Sequence, residues 1–289
     1  MATSTMRQAE RPVVGGEFPF TDQDFKQIAA MLYADAGLSL PESKATLVYS
    51  RLAKRLRALG LESFREYCAL VSESEGVGER RNMLAALTTN VTRFFREPHH
   101  FDHLKTEVLP ALLQSAKKGG RVRIWSAACS TGQEPYSIAL TILSLMPDAA
   151  EYDIKILATD IDPNVVTTAR RGVYPQTEVA PIPADLARRW MEPRDGGALE
   201  VGEAMRELVS FRELNLVAPS WPMKGRFDVI FCRNVVIYFD EPTQHRIWGR
   251  FRAVLQPTGR LYVGHSERVT DDGFRSDGLT SYALIGGRT

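Results

Sequence analysis

A Rossmann-like α/β domain with a small inserted antiparallel β subdomain, preceded by a small all-helical domain, is the fold class that the sequence predicts. Three observations predict it. Up to about residue 90 the apolar residues recur only at helical spacing. After Gly119-Gly120, short apolar runs rich in Val and Ile alternate with helix-compatible stretches. That alternation breaks once, between Pro175 and Phe211, in a stretch punctuated by Pro175, Pro181, Pro183 and Pro193 and by an Asp195-Gly196-Gly197 turn signal.

Taken in order, residues 1–17 are polar and end in Gly15-Gly16, which predicts a flexible leader. The helical domain is expected over residues 18–90. Its first helix is FKQIAAMLYADAG, with Thr21 and Asp22 as caps, Phe25, Ile28 and Leu32 on one face and Gly37 beyond the end. In SKATLVYSRLAKRLRALG, Leu47, Leu52, Leu56 and Leu59 form the apolar stripe, while Arg51, Lys54, Arg55 and Arg57 supply a basic face. SFREYCALVS and ERRNMLAALT continue the pattern, and a linker with the helix EPHHFDHLKTEVLPALLQSAKK is expected over residues 91–120. The α/β domain then occupies 121–289, with strands VRIWSAA, DIKILATD, FDVIFCRN and GRLYVGH. The alternating runs ALEV and MRELVSF are assigned to the β subdomain, at about 176–212.

Composition narrows the function classes. With 36 Lys plus Arg against 35 Asp plus Glu, the net charge of +1 gives no global field to draw in a polyanion, so nucleic acid is not expected as a partner. Cys68, Cys129 and Cys232 are isolated and lack metal-ligand spacing, which suits a reducing compartment and predicts no metal site. MATSTMRQAERP lacks the apolar stretch of a signal peptide, and no apolar run reaches the ~18 residues that a membrane helix needs. A cytoplasmic protein without membrane insertion is expected.

The chemistry gathers at the carboxyl ends of the expected parallel strands, where open α/β sheets bind ligands. VRIWSAA runs into the loop CSTGQEPYS and then an apolar helix. Its one glycine, Gly132, matches a dinucleotide fingerprint weakly, and a structural turn accounts for it equally well. Glu134 at the helix start repels a phosphate and suits an ammonium group, which favours S-adenosylmethionine over a dinucleotide. Asp160 ends the second strand, where it can accept both ribose hydroxyls or cap the next helix. Asp162, beside Pro163, fits the cap better. Arg233, Asn234 and Tyr238 follow the strand FDVIFC and face the same edge; loop hydrogen bonding is their alternative role. Base-methylating enzymes are disfavoured, because CRNVVIYF lacks an Asp/Asn-Pro-Pro-aromatic motif and Cys232 follows Phe231 rather than proline. The missing glycines disfavour an NAD-dependent oxidoreductase. A catalytically silent sensor of the cofactor is expected to have lost Arg96, Glu134, Asp160 or Tyr238, and all four are present.

TTNVTRFFREPHHF, WSAACSTGQEPYSIAL, ILATDID, RELNL, FDVIFCRNVVIYFD and GRLYVGHSE, in that order, resemble the chemotaxis-receptor protein-glutamate O-methyltransferases of the CheR family over nearly all of residues 20–285. The resemblance implies a class I S-adenosylmethionine methyltransferase domain that converts this cofactor to S-adenosylhomocysteine and forms γ-glutamyl methyl esters on the cytoplasmic helices of chemoreceptors. It implies cofactor contacts from Asn90, Thr92 and Arg96, from Ala127 and Ala128 lining the loop, and from Glu134 on the methionine ammonium. Asp160 matches the ribose ligand, Asn215 and Leu216 the adenine side, and Arg233 and Asn234 the methionine side. Arg96 and Tyr238 are implied as the catalytic pair, with Tyr238 flanking the transfer site. The basic face of Arg51, Lys54, Arg55 and Arg57 becomes a candidate docking surface for a receptor helix bundle, and the β subdomain a possible dock for a receptor C-terminal tether. A monomer is expected. The departures are Cys129, where alanine is frequent, and Gln133, where glutamate is also seen.

Overall fold

The computed structural model describes residues 13–286. They form two compact units: one runs to Thr89 and includes Tyr238–Asp240, and the other comprises Asn90–Ile237 and the chain from Glu241 onward.

The first unit is built on four helices, α1 (Asp22–Ala36), α2 (Ala45–Leu59), α3 (Phe64–Ser72) and α4 (Val77–Leu87). Thr21 starts α1 with a capping box: its hydroxyl accepts from the Asp24 N–H, and its own N–H donates to the Asp24 carboxylate. Gly37 ends the helix in the left-handed conformation that favours glycine, φ 68°. Phe25, Ile28 and Leu32 are buried as expected. In α2 the buried stripe is Ala45, Val48, Leu52, Ala53 and Leu56, and Leu59 is exposed, because Gly60 ends the helix there. Residues 1–12 of the expected leader lie outside the described residues. The remainder, 13–17, is tied down: the Val13 N–H donates to the Phe20 carbonyl and Glu17 pairs with Arg57. Phe18 and Phe20 enter the helical core and draw the segment onto it, which corrects the leader's boundary.

Glu79 on α4 joins three parts of this unit. It takes two hydrogen bonds from Arg55, at 2.9 and 2.5 Å, and one from the Tyr67 hydroxyl at 2.9 Å. Tyr67 is buried, so losing its acceptor is costly. The segment Tyr238–Asp240 belongs to the same unit. Leu38 bridges Phe239, the Ser39 N–H donates to the Tyr238 carbonyl, and the Tyr33 hydroxyl donates to Asp240.

The second unit is organised by a seven-stranded sheet of order β6-β2-β1-β7-β8-β10-β9. These strands are β1 (Val122–Ser126), β2 (Ile154–Asp160), β6 (Val209–Glu213), β7 (Phe227–Cys232), β8 (Leu255–Val263), β9 (Phe274–Ser276) and β10 (Ser281–Leu284). The pairs among the first five are parallel, and β10 runs antiparallel to both neighbours. Strand β1 is nearly all buried, as a central parallel strand must be, and its Trp125 indole N–H donates to the Thr159 hydroxyl at 2.9 Å. The chain passes from β1 to one side, through β2 and β6, then returns on the other side of β1 as β7. That reversal puts a topological switch point between β1 and β7.

The helices of this unit are α5 (Pro98–His103), α6 (Leu109–Lys117), α7 (Gln133–Leu145), α8 (Pro163–Arg171), α9 (Gln176–Val179), α10 (Ala184–Trp190), α11 (Glu203–Leu208) and α12 (Glu241–Val254). Between α5 and α6 a π-helical turn, Leu104–Val108, widens the path ahead of Pro110, whose ring does not fit a regular α-helix interior. The β subdomain is a three-stranded antiparallel sheet of order β3-β5-β4, made of β3 (Val173–Pro175), β5 (Ala198–Val201) and β4 (Met191–Pro193). ALEV is one of its strands. MRELVSF is not: Met205–Leu208 lies in α11, and Val209–Phe211 enters the main sheet as β6, where Val209 and Phe211 are buried. The insertion therefore closes at about Val201, before the expected 212.

Arginine hydrogen bonds and the Tyr67 hydroxyl outweigh burial and hold the Glu79 carboxyl below its ordinary pKa. A lowered folded-state pKa gives stability that is present above the unfolded value and lost as pH falls through the folded one. Glu79→Gln is therefore expected to destabilise the chain at pH 7 by about 1–3 kcal/mol, read as a shift of the urea midpoint at constant slope. The deficit should shrink on acidification, and an unchanged midpoint at pH 7 would contradict the assignment.

Candidate active site

The loop leaving β1 is stitched to both neighbouring strands. The Ala127 N–H donates to the Phe231 carbonyl at 2.7 Å and the Cys129 N–H to the Thr159 carbonyl at 2.9 Å. Ala127 is buried and Ala128 half-buried beside it. Gly132 sits at the start of α7 with φ 98°, and a Cβ there would meet the Tyr174 hydroxyl at 2.7 Å and the Ala169 Cβ at 2.9 Å. Of its two readings the structural turn is the one that this packing explains.

Two residues later, in the first turn of α7, Glu134 faces the end of β1. Its Oε1 accepts from the Ser126 hydroxyl at 2.7 Å and its Oε2 from Arg233 at 3.1 Å. Burial pushes its carboxyl up, against the opposing charge of Arg233. Each carboxylate oxygen keeps a second lone-pair site, so Glu134 can still receive an ammonium group.

At the end of β2 the two aspartates separate by role. Asp162 caps α8, accepting the Asn164 N–H at 2.9 Å, and its other oxygen receives the Asn90 amide at 3.1 Å. Asp160 caps nothing. Its oxygens accept the Ser130 N–H at 2.8 Å and the Asp162 N–H at 3.1 Å, and burial raises its pKa. The Ser130 hydroxyl donates to the Asn90 carbonyl at 2.9 Å, which brings the segment around Asn90 to this edge. The Leu214 N–H donates to the Asp160 carbonyl at 2.9 Å, so Asn215 and Leu216 also leave β6 beside Asp160. Leu216 is buried, and the Asn215 side-chain oxygen accepts the Val217 N–H in a local turn.

Arg233, at the end of β7, has its side chain 2% exposed between two carboxylates. One is Glu134; the other is Glu97, at 3.3 Å. A third partner is the Arg96 carbonyl, which accepts from the same guanidinium. Glu97 also receives His265, ring nitrogen at 2.9 Å and N–H at 3.3 Å. Burial opposes its ionisation, but the His265 hydrogen bond and the Arg233 charge prevail and hold its pKa down to about 2. His100 is buried alongside, hydrogen-bonded to the Thr280 hydroxyl at 2.8 Å, and burial followed by the Arg233 charge lowers its pKa to about 3. It is neutral at physiological pH.

Glu97, His99 and His100 bring ligand-type atoms within 4.8 Å of one another, a grouping for which the sequence expectation of no metal site made no provision. The positive charge beside that carboxylate is the Arg233 guanidinium. The Arg96 side chain turns back to donate to the Val91 carbonyl at 2.8 Å, and Thr92 lies half-buried on the same stretch. Phe95, Glu97, Ser130 and Asn234 all adopt positive φ, between 49° and 58°. Left-handed backbone at residues other than glycine marks a segment held by its surroundings, and four such residues border this edge.

The structure thus groups Asn90, Ala127, Glu134, Asp160, Asn215, Leu216, Arg233 and Asn234 along one sheet edge, with Arg96 joined through its carbonyl. Tyr238 belongs to the helical unit. Glu97 carried no expected role, although the run Glu97-Pro98-His99-His100 placed a carboxylate beside two imidazoles. Of the basic residues on α2, three are engaged inside their own unit: Arg51 on the Ala86, Leu87 and Thr88 carbonyls that end α4, Arg55 on Glu79, and Arg57 on Glu17. Lys54 is exposed.

Residues 90–282 match the family described as CheR methyltransferase, SAM binding domain, and residues 23–88 match CheR methyltransferase, all-alpha domain. The chain is 56% identical over 258 residues to a probable chemotaxis protein methyltransferase of Rhizobium etli, covering 87% of this chain and 96% of that one. It is 45% identical over 289 residues to chemotaxis protein methyltransferase 2 of Pseudomonas aeruginosa, covering 98% and 99%. It is 41% identical over 271 residues to the chemotaxis protein methyltransferase of Escherichia coli, covering 91% of each.

Removing Arg233 leaves Glu97 and Glu134 without their shared cation. Arg233→Gln is expected to cost about 3–5 kcal/mol at pH 7. The contribution of Glu97 is present above its ordinary value of 4.5 and lost as pH falls toward about 2, so the deficit should narrow with acidification. Equal stability of variant and wild type at pH 7, by denaturant titration, would contradict the buried network.

Proposed function

The chain belongs to the CheR methyltransferase family, and on that premise we propose that it forms γ-glutamyl methyl esters on the cytoplasmic helices of bacterial chemoreceptors. It is an S-adenosylmethionine-dependent chemotaxis methyltransferase; the proposal concerns its acceptor and its place in adaptation. In those terms it is a protein-glutamate O-methyltransferase, EC 2.1.1.80, working in the cytoplasm as a monomer. Among the described residues no helix is long and apolar enough to cross a membrane.

The observation that carries the reading is the pair of half-buried carboxylates, Glu134 in the first turn of α7 facing the end of β1 and Asp160 at the end of the adjacent β2, with a packed glycine where a phosphate loop would need open backbone. Such a set suits an ammonium group and a ribose diol. S-adenosylmethionine supplies, when bound, a methyl group on a positively charged sulfur. In this reading Glu134 holds the ammonium, with Arg233 fixing its orientation, and Asp160 takes the ribose hydroxyls. Asn215 and Leu216 bound the adenine, and Asn90, Thr92, Ala127, Ala128 and Asn234 complete the contacts.

The acceptor glutamate, with a reference pKa of about 4.3, is ionised at neutral pH and needs no general base. The residues have to align a carboxylate oxygen with the methyl group and keep water out. Well-oriented pairs gain roughly 7–11 kcal/mol in that way. Arg96 orients the incoming carboxylate, and Tyr238 takes the part in methyl transfer that the family resemblance implies for it. Lys54 offers its charge to an acidic receptor surface, whereas Arg51, Arg55 and Arg57 also hold their own unit together. The β subdomain ends in two open edges, β3 and β4, either of which could receive an extended receptor tether by strand addition.

Incubation with methyl-labelled cofactor and receptor cytoplasmic fragments, followed by alkali, is expected to release volatile labelled methanol; alkali-stable label would overturn the proposed acceptor. Asp160→Ala is expected to weaken S-adenosylhomocysteine binding by about 10- to 100-fold, the loss of charge-assisted hydrogen bonds worth ~1.5–3 kcal/mol, measured by calorimetry. Lys54→Glu should lower kcat/KM for receptor and its salt dependence while leaving kcat unchanged. Identical salt profiles would remove Lys54 from the docking face.

A further inference from the structure

The motif GRLYVGHSE ends β8 and contributes a carboxylate to which the reaction scheme gives no part. Glu267 is 7% exposed. Its oxygens gather the backbone N–H groups of the segment that follows β7. Oε2 accepts from Asn234 at 2.8 Å and from Gly264 at 2.6 Å. Oε1 accepts from Val235 at 2.8 Å, Val236 at 2.7 Å and, more weakly, Ile237 at 3.4 Å. Successive N–H groups converging on one anion form a nest, and here the anion is the protein's own.

Two features show that the arrangement is built for this segment. Asn234 takes φ 58°, which turns its N–H and those after it to one side, and the hydrogen bonds to Glu267 offset that strain. Gly264 permits the approach of the two loops, since a Cβ there would meet the Asn234 amide nitrogen at 2.4 Å and its backbone nitrogen at 2.8 Å. The residues so fixed are Asn234 and, one position earlier, Arg233, whose guanidinium lies on Glu134.

We infer that Glu267 is a positioning residue for methyl transfer: by anchoring the backbone of 234–237 it holds Arg233 and Asn234 in their cofactor-binding conformation and so sets cofactor affinity. The inference rests on the reading of Arg233 and Asn234 as cofactor contacts. A carboxylate is required because glutamine must turn its NH2 group toward one of the two sets of N–H groups, losing their acceptor and opposing donors to donors.

Calorimetric titration of the full chain with S-adenosylhomocysteine tests this, using wild type, Glu267→Gln and Asn234→Ala, each checked for fold by circular dichroism. Glu267→Gln is expected to bind at least about tenfold more weakly, ~1.4 kcal/mol, and Glu267→Asp to recover part of the loss. Weakened binding by Asn234→Ala beside wild-type affinity in folded Glu267→Gln would overturn the inference while leaving the cofactor reading intact. Wild-type affinity in Asn234→Ala would remove that reading, and the inference with it. Should neither Glu267 variant fold, hydrogen exchange on the wild type decides: Asn234, Val235 and Val236 amides protected before ligand is added support a preformed anchor, and protection that arises only with ligand overturns it.

Discussion

The candidate site depends on one buried cation. Arg233 lies between Glu134 and Glu97 at the carboxyl edge of the sheet, and three segments distant in sequence meet on it: the start of α7, the stretch before α5 and the end of β7. A buried ion network of this kind is weak evidence for stability as such, because the desolvation cost of its members approaches the Coulombic return. What it does supply is placement. Two carboxylates and a guanidinium in a dry setting have few arrangements that satisfy all three, so Glu134 is held where it is useful for binding. Its raised pKa and the depressed pKa of Glu97 are two sides of that constraint, since burial prevails on the first and paired positive charge on the second.

The sheet makes this possible. Chain reversal around β1 leaves a gap in the connections between β1 and β7, and the residues after β1, β2 and β7 converge on it. The loops that do so depart from easy backbone geometry at Phe95, Glu97, Ser130 and Asn234, and each departure has a visible restraint. The Phe95 N–H donates to the Ser137 hydroxyl, that of Ser130 to Asp160, and that of Asn234 to Glu267; Glu97 is gripped by Arg233 and His265. Sequence, local strain and site chemistry are thus linked residue by residue along the edge.

How far the fold could be read in advance follows from burial. Strands β1 and β7 are covered on both faces, β2 and β8 over most of their carboxyl-terminal halves, and these stretches read as apolar runs. Strands β6, β9 and β10 are short and sit toward the rim of the sheet, with β6 and β10 alternating in burial and β9 only three residues long, so their pattern resembled a hairpin or a loop. MRELVSF misled for that reason: half of it is a helix and half an edge strand. In the site, Asp160 and Arg233 announced themselves as charges at strand ends and Glu134 as a charge at a helix start. Glu97 and Glu267 did not, because Glu97 meets His265 from 168 residues away and Glu267 meets Asn234 from 33 residues away in the chain, and no local spacing encodes them. The internal ion pairs of the basic helix were hidden in the same way: Glu17 and Glu79, which pair with Arg57 and Arg55, come from other segments.

The direct measurement of the central claim is a crystal structure of the chain with S-adenosylhomocysteine. The account predicts the ligand's amino group within hydrogen-bond distance of the Glu134 carboxylate, its ribose hydroxyls on Asp160, and Arg233 still seated between Glu97 and Glu134. A complex in which the ligand touches neither carboxylate, or in which Arg233 leaves Glu134 to make room for it, would contradict the account.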